Sequence, residues 1–378
     1  MNTDRLPDPV TKLMGRLVDA SAGERLALSV AAVVASILLG GVITFVSGLF
    51  AECATPTFGP SCYNPFAVYY YLFLSPLLSG FSLSVMAEQT SLLLFTGLAV
   101  AVSFRAGLFN IGTQGQLVLG ALAAALTAVA LGSVLPSGPV SGAVIALAAL
   151  GAGAVVGGLF AAIPGALKAY FDANEVITTI MLNFVAADVA FFLVSAYFQK
   201  PGSGSIETRD VPDAATVSPT IALVMGLVLV AATTYLLWGT SFGYDLRTAG
   251  LQPQAAEYAG VDAKRMVVAS MTLSGAIGGA GGAIWVLMAV GRWVTGVPPL
   301  GFDGITVSVL ASNNPLGVLL AGPLFGTMSA GSLSIDFQLG VPRQLVGVIR
   351  GLVILFVAMP EFFRMLGARW GLGGGDVQ

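Results

Sequence analysis

Histidine is absent from this chain, and only 9% of its residues carry charge. Soluble domains carry roughly 25%. The missing imidazole excludes histidine acid–base catalysis, imidazole metal ligation and His-ligated haem. Cys53 and Cys62 are the two cysteines, too few to hold a metal by thiolates alone. None of the four lysines (Lys12, Lys168, Lys200, Lys264) follows a glycine. The phosphate-cradling pattern G-x-x-x-x-G-K-[ST] is therefore absent, and any ATP chemistry must be done by another chain. No paired-aspartate metal motif and no basic patch suited to nucleic acid stands out. No cofactor is expected in this chain.

What the chain has in abundance is apolar surface. Hydrophobic residues make up 56% of it, and residues 106–167 contain no charge at all. A membrane-crossing helix needs roughly 20 apolar residues. The runs do not alternate with the two-residue period of a membrane barrel. The expected fold is all-α, a polytopic transmembrane helix bundle of roughly 8–10 spans, some short or broken. The predicted spans are 26–50, 66–81, 85–104, 112–134, 140–163, 176–197, 217–238, 266–290, 305–330 and 345–359. Pro76 shortens the second, and Asn313–Asn314–Pro315 interrupts the ninth, which then folds as a broken or re-entrant hairpin.

Lysine and arginine near span ends set orientation. Arg5, Lys12, Arg16 and Arg25 place residues 1–25 in the cytoplasm, and Arg364 and Arg369 place the tail 364–378 there too. The membrane-embedded body is then residues 26–363, in a cell membrane, with both termini cytoplasmic. Residues 1–25 are polar and mixed in charge, unlike a secretory signal. The loop 51–65 lacks lysine and arginine and falls outside, where an oxidising compartment allows Cys53 and Cys62 to pair as a disulfide. Arg292 and Arg343 fit this orientation least, because it puts them outside.

Between charge-free stretches 214–244 and 266–291 lies a polar island, residues 241–265, with six charges. Gly250 is placed to end a first short helix begun near Tyr244, Pro253 to open a second, and Gly260 to end it. Ala255, Ala256 and Ala259 give that second helix a small-residue face. It either rests on lipid headgroups or presses against another protein.

Polar residues interrupt the spans at a few places. Asn110 and Gln114, with Gln116, stand among glycines at the start of the fourth span. They form either a helix-start turn or irregular backbone lining a cavity. Thr179 and Asn183 are four apart and share a helix face. Asn313 and Asn314 break the late span. These neutral amides either line a path for a polar, uncharged solute or tie helices together. Asp188, near the middle of its span, is either a proton or cation site or a structural carboxylate inside the bundle. The first reading implies an ion-coupled secondary transporter. Glycine pairs four apart (Gly153/Gly157, Gly275/Gly279, Gly278/Gly282, Gly322/Gly326, Gly347/Gly351) predict close helix packing.

The segments FRAGLFNIGTQGQ, LKAYFDANEVITTIMLNFVA, GYDLRTAGLQPQAAEYAGV and GFDGITVSVLASNNPLGVLLAGPLFG occur in that order across more than half of the chain. Together they resemble the permease subunits of ATP-binding-cassette (ABC) importers of the branched-chain amino acid/ribose/nucleoside type, most of all nucleoside or simple-sugar permeases. Gln252 stands where that family often has asparagine, a better helix cap. The resemblance implies a permease that moves a polar uncharged solute by alternating access. It implies a cytoplasmic ABC ATPase carrying ATP-Mg, a second, related permease chain, and an extracellular substrate-binding lipoprotein. On the island, it assigns ATPase coupling to Arg247, Gly250, Pro253, Ala256, Glu257, Tyr258, Ala259 and Gly260.

Overall fold

The structure, a computed structural model, describes residues 22–53, 55–352 and 355–356, with side chains described from Val34 on. The expected tail 364–378, most of segment 1–25 and the end of the last predicted span lie outside the described residues. The helices are α1 (Ala22–Leu49), α2 (Pro65–Leu78), α3 (Gly80–Arg105), α4 (Thr113–Gly132), α5 (Pro139–Phe171) and α6 (Glu175–Leu193). They continue with α7 (Pro219–Gly239), α8 (Ser241–Leu251), α9 (Pro253–Tyr258), α10 (Ala263–Ile284), α11 (Leu300–Leu310) and α12 (Pro315–Leu339). A further helix covers residues 343–352. Single π-helical turns prolong α6 to Phe198 and α10 to Val290. Among the described residues, seven helices are long and apolar enough to cross a membrane. The chain is an all-α, multi-pass membrane protein.

The described residues form two compact units. One comprises those up to Leu78 together with those from Met328 on; the other is Ser79–Thr327. In the first, Asn64 caps α2 by accepting from the Phe66 N–H at 3.0 Å, and Pro65 fills the opening position. Ser61 Oγ donates to the Phe45 carbonyl at 2.9 Å, and the Tyr69 hydroxyl donates to that of Ile37. Cys53 and Cys62 are joined as a disulfide, their Cα atoms 5.9 Å apart. Arg343 is paired with Asp336 at 2.8 Å.

The second unit is built around α10, which packs on α4 and α5 through backbone rather than side chains. A Cβ placed on Gly279 would lie 2.2 Å from the Gly153 carbonyl oxygen, and one on Gly157 would lie 2.4 Å from that of Gly275. On the other side, a Cβ on Gly120 would meet Gly279 Cα at 2.4 Å. The four-residue glycine spacing thus makes one seam shared by three helices. Gly347 and Gly351, in the first unit, border open space, so their matching spacing makes no such seam among the described residues.

Some boundaries differ from expectation for local reasons. The span predicted as 66–81 stops at Leu78, because Ser79 caps α3 by accepting from the Ser82 N–H at 3.1 Å. The span predicted as 140–163 runs on to Phe171. Pro164 sits inside it unbroken, as membrane helices permit, and Asp172 in the left-handed region (φ 51°) ends it. The interrupted late span divides as predicted. Its first half is a short helix, α11, and Ser312 and Asn313 make the turn with φ of 52° and 55°.

At the end of this unit away from α8 and α9, residues 198–218 are stitched to residues 287–295. Thr208 N–H donates to the Trp293 carbonyl at 3.0 Å and Val211 N–H to that of Gly291 at 2.8 Å. Asp210 is held by Lys200 at 2.5 Å and Arg292 at 2.6 Å, and Arg292 also meets Glu207 at 3.2 Å. Hydrogen bonds from Lys200 and then Arg292 hold the Asp210 carboxyl below the ordinary carboxylate range. Arg292 thus bonds two carboxylates at this end.

Two predictions follow from this packing. Gly279→Ala should destabilise the protein by about 1–3 kcal/mol, because the opposing atoms are backbone. Gly151→Ala, on open space in α5, should be neutral or slightly stabilising, and thermal unfolding in detergent separates the two. The Asp210 ties should hold at all pH values above its unfolded pKa, about 3.9, and be lost as pH falls through its lower folded value. Hydrogen exchange in residues 206–211 should then accelerate in acid for the parent and already at neutral pH for Asp210→Asn. Since Asp210 is half exposed, the change should be worth about 1 kcal/mol or less.

Candidate functional site

Between Arg105 and Thr113 the chain leaves helical structure but stays inside the bundle. Asn110 lies beside Ser274, eleven residues into α10, so the segment descends well below the end of α3 before α4 begins. Backbone at that depth has no water to bond, so the protein itself must satisfy it. It does so with the polar residues singled out in the sequence. Asn183 Oδ1 accepts from the Gly115 N–H at 2.8 Å, and its Nδ2 donates to the Ile111 carbonyl at 3.0 Å. Thr179 Oγ1 accepts from the Ile111 N–H at 3.3 Å. Asn110 Oδ1 accepts from the Gly112 N–H at 3.0 Å and from Gln116 Nε2 at 3.0 Å. Asn110 Nδ2 donates to Ser274 Oγ at 2.8 Å, and Ser274 in turn donates to the Ala99 carbonyl at 2.6 Å.

Asn110, Thr179 and Gln116 are sealed from solvent, and Asn183 nearly so. Their side chains are hydrogen-bonded to other groups of the chain. Gln114 is different: it is half-buried and spans two breaks. Its Nε2 donates to the Pro298 carbonyl at 2.9 Å, and its Oε1 accepts from the Gly301 N–H at 2.8 Å. The start of α4 and the start of α11 thus meet at one side chain inside the unit. Asn313 and Asn314 lie elsewhere, in the turn between α11 and α12. Asn314 Oδ1 caps α12 through the Leu316 N–H at 3.1 Å, and Asn313 Oδ1 accepts from Ser308 at 3.0 Å.

That turn is bound to Arg105, which composition and spacing did not single out. Its Nε donates to the Asn313 carbonyl at 2.8 Å and its other guanidinium nitrogen to that of Ser312 at 3.2 Å. The same guanidinium lies 5.5 Å from the centre of the Trp238 ring, and that of Arg247 lies 5.8 Å from it. Arg105 therefore joins the end of α3, the end of α7 and the α11–α12 turn. A conspicuous neighbour was the available signal: Arg105 is the last charge before residues 106–167.

The polar island folds as two short helices, as expected, with shifted boundaries. Thr240 caps α8 at Ser241 by accepting from the Gly243 N–H at 3.1 Å. Gly250 does not end it. It lies within the helix because the chain at Ala106–Gly107 passes against it: a Cβ on Gly250 would fall 2.4 Å from the Ala106 carbonyl carbon. Gly107, with φ of 71°, leaves no room either, its own Cβ falling 2.6 Å from the Gly250 oxygen. Gln252 supplies no side-chain cap to α9, and Pro253 opens it. Gly260, with φ of 86°, closes the segment as expected.

The alanine face divides. Ala256 is fully buried against Ala249 and Ala263, so it anchors α9 on its own chain; Ala255 and Ala259 are exposed. Tyr258 is 94% exposed, with Glu257 exposed beside it. Arg247 is half-buried, its Nε donating to the Gly243 carbonyl at 3.3 Å.

Asp188 corrects an expectation. It is exposed on α6, on the side away from Thr179, Asn183, Ala186 and Ala190, and hence is not a carboxylate inside this bundle. A groove of about 490 Å³ between α5 and α7, walled by Leu147, Leu150, Val224 and Val228, is almost wholly apolar and offers a polar solute nothing to bond.

The model of the family described as "Branched-chain amino acid transport system / permease component" matches residues 82–358. The chain belongs to this permease family. It is 35% identical to the guanosine ABC transporter permease protein NupP of Bacillus subtilis, over 74% of this chain and 81% of that one. It is 34% identical to the glucose ABC transporter permease protein TsgB13 of Haloferax volcanii, over 80% and 82%. It is 30% identical to the nucleoside ABC transporter permease protein NupB of Lactococcus lactis, over 87% and 89%. Permeases of this kind are not themselves enzymes.

The tie at Asn183 makes a prediction. Asn183→Ala strands one N–H and one carbonyl inside the bundle and should cost about 2–6 kcal/mol, from about 1–3 per stranded group. Gln114→Ala, half-exposed, should cost less than half as much by thermal unfolding in the same detergent.

Proposed function

We propose that this chain is the membrane-spanning subunit of an ATP-driven importer for a neutral polar solute, a nucleoside first and a simple sugar next, and that α8 and α9 are its mechanical joint with a cytoplasmic ABC ATPase. The observation that carries the joint is the backbone contact between Gly250 and Ala106–Gly107. It connects the exposed helix α9, through α8, to the segment that enters the bundle and starts α4. A partner that displaces α9 therefore pushes on that segment without any slack in side chains between them. Arg105 carries the same displacement to the α11–α12 turn.

The solute class is supported by the names of the relatives, which include guanosine, nucleoside and glucose permeases. Bacillus subtilis has a second guanosine permease protein, NupQ, that this chain matches at 28% identity, and Lactococcus lactis likewise has NupC at 27%. That pairing supports a second, different permease chain beside this one. In this reading the island end faces the cytoplasm, both termini lie there, and residues 198–218 and 291–299 face outside, where a solute-binding lipoprotein delivers its load. ATP-Mg is held by the ATPase. Import requires that the ATPase contact α9 differently in its two nucleotide states, since only a differential contact shifts the transporter's equilibrium.

The test is reversal of the exposed face. Glu257→Arg combined with Tyr258→Ala should reduce co-purification of the ATPase by ~10-fold or more, in keeping with loss of an interface anchor. The melting temperature of the isolated permease should not move, because neither side chain is buried. Uptake and assembly that both survive the double change would refute the joint.

A further inference from the structure

Asp188 stands where a carboxylate has no business facing hydrocarbon. It lies thirteen residues beyond Glu175 in a helical span that runs to Phe198, ~20 Å from the start and ~15 Å from the end at 1.5 Å per residue. Its side chain is too short to reach either membrane surface from there. It is exposed, and no hydrogen bond or ion pair joins it to another described residue. An aspartate at the centre of a lipid-facing helix is costly enough that such residues almost always meet water or another protein.

Its neighbours on that face are specific. Phe184, one turn before, is 62% exposed, and Phe191, one turn after, is 43% exposed. Positions four before and three after share a face with it. The face therefore presents ring, carboxylate, ring along its length. The span that carries it is the least buried of the long ones, at 17% against 72% for those of α3 and α10. Lipid would accept the rings and reject the carboxylate. A neutral solute with paired O–H or N–H donors and a flat or apolar face accepts all three. The carboxylate takes two hydrogen bonds from a vicinal diol or a purine N–H pair, and the rings stack on a base or on the C–H face of a sugar.

We infer that this face of α6 lines a water-filled path completed by a second permease chain, and that Asp188, between Phe184 and Phe191, is a hydrogen-bonding subsite for the solute in transit. The inference rests on the permease reading and adds to it a residue and a wall. Ribose and hexose share the diol, so the choice between them is left to the experiment.

The chain suits a direct test, because its two cysteines are bonded to each other. Asp188→Cys gives this chain one free thiol, and it is read in the complete transporter, reconstituted in vesicles, against the parental transporter labelled in the same way. A charged, membrane-impermeant methanethiosulfonate should label it, and saturating guanosine or glucose should slow labelling by ~5-fold or more, as occlusion of a binding site requires. Protection by guanosine alone marks a nucleoside path; protection by glucose alone marks a sugar path. In parallel, Asp188→Asn should raise the KM of the protecting solute by ~10-fold, the effect of losing a charged hydrogen-bond acceptor. If the thiol is unlabelled both at rest and in the ATP-trapped state, while Ser205→Cys labels, the inference fails. It also fails if neither solute protects, or if Asp188→Asn keeps the parental KM. Should Asp188→Cys not assemble, the Asp188→Asn KM decides. Parental vesicles lacking ATP-driven uptake of both solutes would instead refute the permease reading itself.

Discussion

The structure depends on one constraint: a stretch of non-helical backbone inside an apolar bundle must find every hydrogen bond within the protein. Residues 106–112 form such a stretch, and they begin α4 at depth rather than at a surface. Asn183, Thr179 and Asn110 supply the missing partners, and Ser274 links them to α10 and α3. An unsatisfied group there costs several kcal/mol. The amides are therefore not ornaments on helices that would form without them. They are the condition under which this path for the chain exists, and they fix α4, α6 and α10 relative to one another around it.

The glycine seam follows from the same economy of space. With α4 starting deep and running only to Gly132, it can secure α10 only by close approach, and Gly120, Gly279 and Gly153 allow backbones to touch. Between membrane helices there is no water to expel, so tight packing and hydrogen bonds supply the association energy. Packing through backbone also leaves few soft side chains to absorb motion. A displacement at α8 would therefore reach α4 undamped.

Much of this was legible in the sequence because charge is so scarce. A polar residue in a chain with 9% charged residues either ends a span or satisfies something, and Asn110, Asn183 and Asn313–Asn314 all proved to stand at breaks or ties. The i, i+4 spacing of Thr179 and Asn183 revealed their shared face. Gly260 was read correctly from its role as a helix stop. Gly250 was not, since a glycine needed for close approach looks the same in sequence as one needed for a left-handed turn; only the neighbour at Gly107 tells them apart. Ala256 and Ala255 likewise cannot be sorted into inner and outer faces until α8 is placed behind them. The depth of Asp188 along its span could be read from sequence, but depth does not say whether the bundle or the outside lies against that face.

Arg105 links the two ends of the proposed joint. Two like charges, Arg105 and Arg247, both lie over Trp238, an arrangement in which ring quadrupole and carbonyl oxygens offset their repulsion. Arg105 is anchored to the carbonyls of Ser312 and Asn313, two non-glycine residues with positive φ, a conformation that costs energy and persists only where the surroundings enforce it. Arg247 belongs to α8. A shift of α8 therefore alters the stack on Trp238, the hold on the strained turn and the backbone contact at Gly107 at once. Three contacts that change together can define two discrete arrangements, whereas any one alone would only flex. Under the proposed joint, the switching element would be the α3–α4 segment and the α11–α12 turn rather than the exposed helix offered to a partner.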